Sequence, residues 1–184
     1  MKITDGEKLI ILMLSEIYEN LEIKGEVEPE FIKSAIFRDH IWSIPWRYSG
    51  IPFENQEPPP VVDHVIDILS MWDFIEYSYE ELPNEEKERL NEDANLRGAS
   101  PVFRGFDGNN ETKYMSVASF LVNDLDRFER FRGRSMNSHM PSLEIYWRMF
   151  SAYDLVRDRL FAEPIPRSDL ADILNERIHP ENRE

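Results

Sequence analysis

The sequence is poor in several features that mark particular classes of protein. Its 184 residues contain no cysteine, which excludes disulfides, thiolate nucleophiles and cysteine-ligated zinc. The longest uninterrupted apolar run, residues 9–14, is far shorter than the ~20 residues of a membrane-spanning helix. Basic residues are also scarce, with 21 Lys and Arg against 36 Asp and Glu, for a net charge of −15. Because this charge repels phosphate and anionic lipid, direct nucleic-acid binding and membrane association are not expected.

The composition that remains is typical of one folded domain. A hydrophobic content of 41%, with 12% aromatic residues, is too high for a disordered chain. The length fits a single domain, so we predict one helical domain over residues 1–184. Acidic residues near the start stand where a signal peptide has a basic segment followed by an apolar run. We therefore predict a cytoplasmic protein.

Apolar residues recur at the three- and four-residue spacing of one helical face, and no segment alternates cleanly with period two. The sequence thus predicts an all-α fold of about seven helices without a significant sheet. The first helix begins with Thr4-x-x-Glu7, the pattern of a capping box. Its first turns, over residues 9–14, are apolar nearly all round, which predicts a central helix.

Six further helices are predicted after the first one. They cover residues 29 to about 44, 61–79, an acidic stretch within 80–93, 114–128, 143–160, and a last helix capped by Ser168-x-x-Asp172. The strongest apolar stripe belongs to residues 61–79. Residues 44–60 hold five of the 12 prolines, together with Trp46 and Phe53. For this segment we predict an irregular, extended connection that packs on the rest of the domain or binds a partner.

Several short motifs follow one another along the chain: Leu9-Ile10-Ile11-Leu12, Asp67-Ile68 with Met71-Trp72, Phe103-x-Gly105-Phe106-Asp107-x-x-x-Glu111-x-x-Tyr114, and Asn137-Ser138-x-x-Pro141 before Tyr146-x-Arg148-Met149. Together they resemble the YfbU family of bacterial proteins over nearly the whole chain. The resemblance implies an all-helical, cytosolic bacterial protein and implies no reaction, cofactor or catalytic residue. The proline- and tryptophan-rich segment 42–60 departs from the family pattern, so a ligand bound there by other members would not carry over.

A cluster of arginines interleaves with aromatic residues near the middle of the chain: Arg127, Arg130, Arg132 and Arg134, with Phe128 and Phe131. Arginine beside aromatic rings suits a phosphate, a nucleic-acid strand or an acidic protein surface. Acidic neighbours reduce the net charge of residues 124–134 to +1, and cations at a helix C-terminus also stabilise the helix dipole. The cluster therefore indicates either an anionic partner or a structural role.

His64 and Asp67 lie one turn apart on the predicted helix 61–79, with Asp63 beside them. Such a pair can form part of a metal site, or a general base held by a carboxylate. A metal centre normally needs three or more ligands, and no second helix repeats the pair, while His40 and His139 are distant in sequence. The alternative is a solvated helix face, and we assign no metal.

Residues 105–111 place Asp107, Asn109 and Glu111 at the first three ligand positions of a calcium loop. The pattern then fails, because Thr112 stands where the loop needs glycine and Ala118 where it needs glutamate. We predict a turn instead, with Asp107 or an asparagine capping the next helix.

Ser135, Ser138 and His139 share one loop, which raises the question of a hydrolase. Neighbours in sequence rarely reach the geometry of a nucleophile and its base, and no Gly-x-Ser-x-Gly elbow is present. For Asn137 and Ser138 we predict a role in fixing the loop or capping the helix that follows Pro141.

These observations favour a non-catalytic helical module for protein interaction or regulation, without a cofactor. Its partner is another protein or a second copy, since the acidic residues of 76–93 and the arginine cluster could pair between copies. The candidate partner contacts are Arg127, Arg130, Arg132, Arg134, Trp46 and Phe53. The alternative is a metal-assisted hydrolase that uses His64 and Asp67, which the missing catalytic motifs disfavour.

Overall fold

The computed structural model describes residues 3–54, 57–160, 163–179 and 181, and this described part contains eight α-helices. They are α1 (Asp5–Asn20), α2 (Pro29–Phe37), α3 (Ile44–Arg47), α4 (Pro60–Glu81), α5 (Asn84–Asp93), α6 (Thr112–Asn123), α7 (Leu143–Leu160) and α8 (Arg167–Asn175). No β-strand occurs in these ranges, where one isolated bridge joins Phe106 to Asn137. The predicted all-α class is therefore confirmed, with about the predicted number of helices. None of the described helices combines the length and apolarity needed to cross a membrane.

The core forms around α4, the helix with the strongest apolar stripe in the sequence. Val65, Ile68, Leu69 and Ile75 along this helix are completely buried. They recur at the spacing of one helical face, and α6 and α7 pack against this helix. Leu90 of the short acidic helix α5 is buried too, although the rest of α5 is largely exposed. This half of the fold follows the sequence prediction closely.

Aromatic rings fill the space between α4, α7 and the segment that precedes α6. Phe103 lies 5.2 Å from Phe131 and 5.6 Å from Tyr146, measured between ring centroids. The Trp72 ring of α4 lies edge-on to Tyr146 at 5.6 Å. Tilted and edge-on rings at these separations are favourable. They fix residues 101–106 against the central helix.

The first helix begins as predicted but lies in a different environment. Thr4 and Glu7 form the capping box in full, with Glu7 Oε2 accepting the Thr4 N–H at 2.8 Å. Ser15, however, is the one residue of α1 that is buried, and α2 is the main helix packed on α1. The prediction of a central helix was therefore wrong. Apolar residues surround the first turns of α1, but α2 covers one side of the helix and the other side faces solvent.

The segment predicted as extended begins with helical structure. α2 ends at Phe37, a 3-10 turn covers Ile41–Ser43, and α3 follows directly. Pro45 lies in the first turn of α3, where a helix has no hydrogen bond for its N–H to make, so the proline is compatible with this helix. Proline alone therefore did not mark the end of helical structure here.

Two other helix ends differ from the prediction. α6 ends at Asn123, and Phe128 beyond it has a left-handed backbone with φ of 54°. This turns the chain into the 3-10 turn Glu129–Phe131. The last helix begins at Arg167 with Pro166 as its N-cap residue and no side-chain cap, so Ser168-x-x-Asp172 is not a capping motif. Pro166 fixes the entry into the helix and leaves Ser168 inside its first turn.

Candidate functional site

The arginine cluster lies in the loop after α6, where acidic residues of α4 hold two of its side chains. Arg130 Nε donates to Asp73 at 2.8 Å, and its Nη1 donates to Glu80 at 2.6 Å. Arg134 Nη1 donates at 2.8 Å to Glu76, which is only 4% exposed. A hydrogen bond to a buried carboxylate contributes to folding, so Arg134 has a structural role. The two carboxylates that Arg130 contacts are 42% and 59% exposed, so its ion pairs contribute less. That the two arginines also bind a partner stays a prediction.

The other predicted contact residues lie in separate places. Arg132 Nη2 pairs with Asp126 at 2.7 Å, with both side chains about half exposed. The Arg127 guanidinium lies 4.7 Å from the centroid of the Trp46 ring, a cation–π contact between residues far apart in sequence. Phe53 is half-buried in an apolar groove beside α1. The structure thus joins Trp46 to the arginine cluster and places Phe53 elsewhere.

His64 and Asp67 both lie near side chains of neighbouring helices. His64 Nδ1 lies 3.4 Å from the Tyr114 hydroxyl, and its ring lies edge-on to Trp147 at 5.0 Å. Burial raises the pKa of Asp67, against the opposing effect of the positive charge of Arg157. Within the described chain, no three or more His, Asp or Glu side chains are grouped to hold a metal ion. The metal-assisted alternative stays a prediction without a supporting contact.

Residues 105–111 form a turn, as predicted, but the capping role differs. Asp107 Oδ1 accepts the Asn109 N–H at 3.0 Å, which is typical of an Asx turn. The buried Glu111 carboxylate accepts four hydrogen bonds of 2.7–2.9 Å, from the Asp107 N–H, the Ser142 N–H and hydroxyl, and the Leu143 N–H. Glu111 therefore caps the N-terminus of α7, and no side chain caps α6.

The loop with Ser135, Ser138 and His139 is held by local hydrogen bonds. Asn137 Oδ1 accepts the Gly108 N–H at 3.0 Å and the His139 N–H at 2.9 Å. Ser138 Oγ donates to the Met140 carbonyl at 2.6 Å. No hydrogen bond in the described residues joins the His139 ring to either serine. Asn137 and Ser138 thus fix the loop, as the sequence analysis predicted.

The feature that sequence reasoning missed is an exposed stripe on α1, which we call the N-terminal apolar surface. Its side chains are 51–66% exposed and belong to Leu9, Ile10, Met13, Leu14, Ile17 and Leu21. Beside it runs a groove of about 300 Å³ that Tyr18, Val27, Ile51 and Phe53 help to line. Six large apolar residues in one exposed stripe are unusual for a monomer. The signal was already present in the sequence, in a first helix with more apolar residues than one buried face requires.

Comparison with known proteins agrees with the motifs. A model of the YfbU domain matches residues 1–175. A UPF0304 protein of Methanocaldococcus jannaschii, MJECS11, is 31% identical over 179 residues, which cover 92% of this chain and 96% of the relative. That relative is archaeal, so the similarity extends beyond bacteria. No solved structure matches. On the extent of these two matches, the chain belongs to the YfbU family.

Proposed function

We propose that this protein is a non-catalytic interaction module that associates with a second copy of itself through the N-terminal apolar surface. The observation that carries the proposal is the exposure of six large apolar side chains, five on α1 and the sixth on its C-cap residue Leu21. Leaving this area in water gives up the favourable free energy of burying it, which association would recover. The cytoplasmic location of this interaction stays a prediction from the sequence.

The size of the surface fits an interface between two chains. The largest apolar patch on a typical monomer covers about 300–600 Å² and is often functional, and each of the six side chains here is more than half exposed. Ile23 and Val27, which are 46% and 42% exposed, extend it towards α2. A standard interface buries about 800 Å² on each partner, and we expect α1 together with its flanking groove to provide one such side.

The arrangement of residues favours a second copy in an antiparallel contact. Gly6 lies one turn before Ile10, and nothing lies within 4 Å of the position where a side chain would begin. If Met13 of each copy lies near the two-fold axis, Leu21 of one copy reaches the Gly6 end of the other. The stripe therefore complements itself, as an isologous contact requires.

Light scattering on a size-exclusion column tests the proposal. We expect a dimer at tens of micromolar protein and a monomer for Met13→Glu, because each copy would bring a charge to the two-fold axis. Leu155→Glu is the matched control, since Leu155 is an apolar residue of α7 that is even more exposed than Met13, at 83%. It should leave the dimer intact.

Circular dichroism separates loss of association from loss of fold, because Met13 is 63% exposed and its substitution should leave the helical spectrum unchanged. A wild-type chain that is monomeric at hundreds of micromolar would contradict the proposal. Equal dissociation by Met13→Glu and Leu155→Glu would contradict the assigned surface.

A further inference from the structure

A second concave region borders the aromatic core at Trp72 and Tyr146 and shares no residue with the N-terminal apolar surface. It is a cavity of about 260 Å³, which we call the arginine pocket. Trp72, Leu96 and Ile145 are part of its apolar wall, and Arg104 and Arg177 are its charged residues. Residues from four distant parts of the chain thus enclose one small space.

The two arginines lack the acidic partners that most other arginines of this protein have. Arg104 makes no ion pair and no side-chain hydrogen bond within the described chain. Arg177 donates to two backbone carbonyls, from Nε to Leu174 at 2.7 Å and from Nη2 to Ala94 at 3.0 Å, and pairs with no described carboxylate. Burial lowers the pKa of Arg177, and the positive charge of Arg104 lowers it further. Arg148 likewise bonds only to backbone carbonyls within the described chain, but it does not line this pocket, whereas Arg104 and Arg177 both do.

No acidic side chain of the described chain is among the residues that line the arginine pocket. Glu111 bonds to Ser142 of the pocket wall, but its carboxylate oxygens already accept four hydrogen bonds. The wall also holds a buried polar group, Nε1 of Trp72, for which the described residues provide no acceptor. A buried donor of this kind is costly unless an acceptor reaches it.

We propose that the arginine pocket binds a small organic anion, with a carboxylate or phosphate group between Arg104 and Arg177 and an apolar body against Leu96 and Ile145. Arginine presents several N–H donors in a planar fork that suits both anionic groups. The cavity is slightly smaller than the ~300–1,000 Å³ of sites for drug-sized ligands, which favours a compact molecule. Ser100 in the wall offers a further hydroxyl group.

Calorimetric titration with four probes tests this proposal on the full chain: benzoate, phenyl phosphate, benzyl alcohol and inorganic phosphate. We expect at least one of the two aromatic anions to bind with a Kd below about 1 mM. Benzyl alcohol lacks the charge and inorganic phosphate lacks the apolar body, so both should bind at least tenfold more weakly. Whichever of benzoate and phenyl phosphate binds with the lower Kd then identifies the preferred anionic group.

Substitutions of the two pocket arginines test whether the anion binds in this pocket. Arg104→Gln should weaken binding of the better anion about tenfold, because one charge-assisted hydrogen-bonding group is lost. Arg97→Gln is the matched control, with the same change of charge on an exposed arginine that does not line the pocket, and it should change the Kd by less than about twofold. Arg177→Gln should also weaken binding, with its melting temperature measured because Arg177 contacts the backbone of two segments.

Three results would overturn the proposal. The first is that neither aromatic anion binds at ten millimolar. The second is that benzyl alcohol binds as well as benzoate and phenyl phosphate. The third is that Arg97→Gln and Arg104→Gln weaken binding equally, which would indicate a general effect of charge. Because the pocket and α1 share no residues, these results are independent of the oligomeric state.

Discussion

α1 and α4 are both rich in large apolar residues, yet they differ in what covers them. Ile68 and Leu69 of α4 have no exposed area, whereas Ile10 and Met13 of α1 are 58% and 63% exposed. α4 lies between α6 and α7, and α1 packs mainly on α2. Hydrophobic periodicity shows which face of a helix avoids water. It does not show whether that face is covered by the same chain or by another one.

The largest expected effect tests this comparison directly. Ile68→Ala in α4 should lower the free energy of unfolding by about 2–5 kcal/mol, because it leaves a cavity in a packed core. Ile10→Ala in α1 should change it by at most about 0.5 kcal/mol, since that side chain already faces solvent in a single copy. Urea denaturation at low protein concentration measures both. Similar losses at the two positions would show that α1 is covered in the monomer.

The next effect concerns whether the arginine cluster belongs to the α4 core. Arg134→Gln should destabilise the protein by about 1–3 kcal/mol, because it leaves the buried Glu76 carboxylate with one strong donor fewer. Arg132→Gln is the control and should cost less than about 0.5 kcal/mol, because its pair with Asp126 is exposed. Denaturation curves distinguish the two variants. If they are equally stable, the bond between Arg134 and Glu76 does not support the fold.

Salt separates the two modes of self-association that this chain allows. Two copies of net charge −15 repel each other, so an apolar contact through α1 should tighten as salt screens the repulsion. We expect the Kd of the dimer to fall roughly threefold between low and high salt. Analytical ultracentrifugation over a salt series measures this change. A Kd that rises with salt would instead favour pairing of the arginine cluster with the acidic residues 76–93.

The smallest expected effect is a pH dependence of stability that arises from His40, which lies where the N-terminal helices meet α6. His40 is 5% exposed, and its Nε2 lies 3.0 Å from the Ser116 hydroxyl. Burial lowers the pKa of His40, and the charge of Arg38 adds to this effect. The unfolded chain therefore binds a proton more readily, so stability is greatest above the unfolded pKa of about 6.5 and falls as the pH decreases through it.

His40→Gln removes this titration. The decrease in unfolding free energy from pH 7.5 to pH 5.5 should therefore be smaller in the variant than in the wild type, by about 1 kcal/mol or less. The comparison of slopes is unaffected by a constant loss of stability from the substitution. Equal slopes would mean that His40 titrates alike in the folded and unfolded chain.

Much of the fold was predictable because its signals are local. The bounds of α7 agree with the predicted residues 143–160, and α4 extends the predicted 61–79 by a few residues. The capping box of Thr4 and Glu7 was predicted because its partners are three residues apart. The turn after α6 was less predictable, because a left-handed backbone is uncommon for a bulky residue such as Phe128.

The candidate sites were less predictable, since they depend on contacts between distant segments. The arginine cluster was visible in the sequence, but its bonds to Asp73 and Glu76 of α4 were not. The pairing of Arg127 with Trp46 and the approach of Arg104 to Arg177 likewise needed the folded chain. The sequence offers no local signal for any of these pairs.

By itself, the sequence determined the helical class, the position of most helices and the apolar faces, because hydrogen bonding and side-chain spacing within a helix are local properties. The tertiary structure alone decided which faces are buried, which arginines meet carboxylates and which form a pocket. Those outcomes depend on how the eight helices of the described chain pack against one another, because a face is buried only where another helix or loop covers it. The apolar face of α4 is buried in the core, and α1 keeps an apolar face in contact with water.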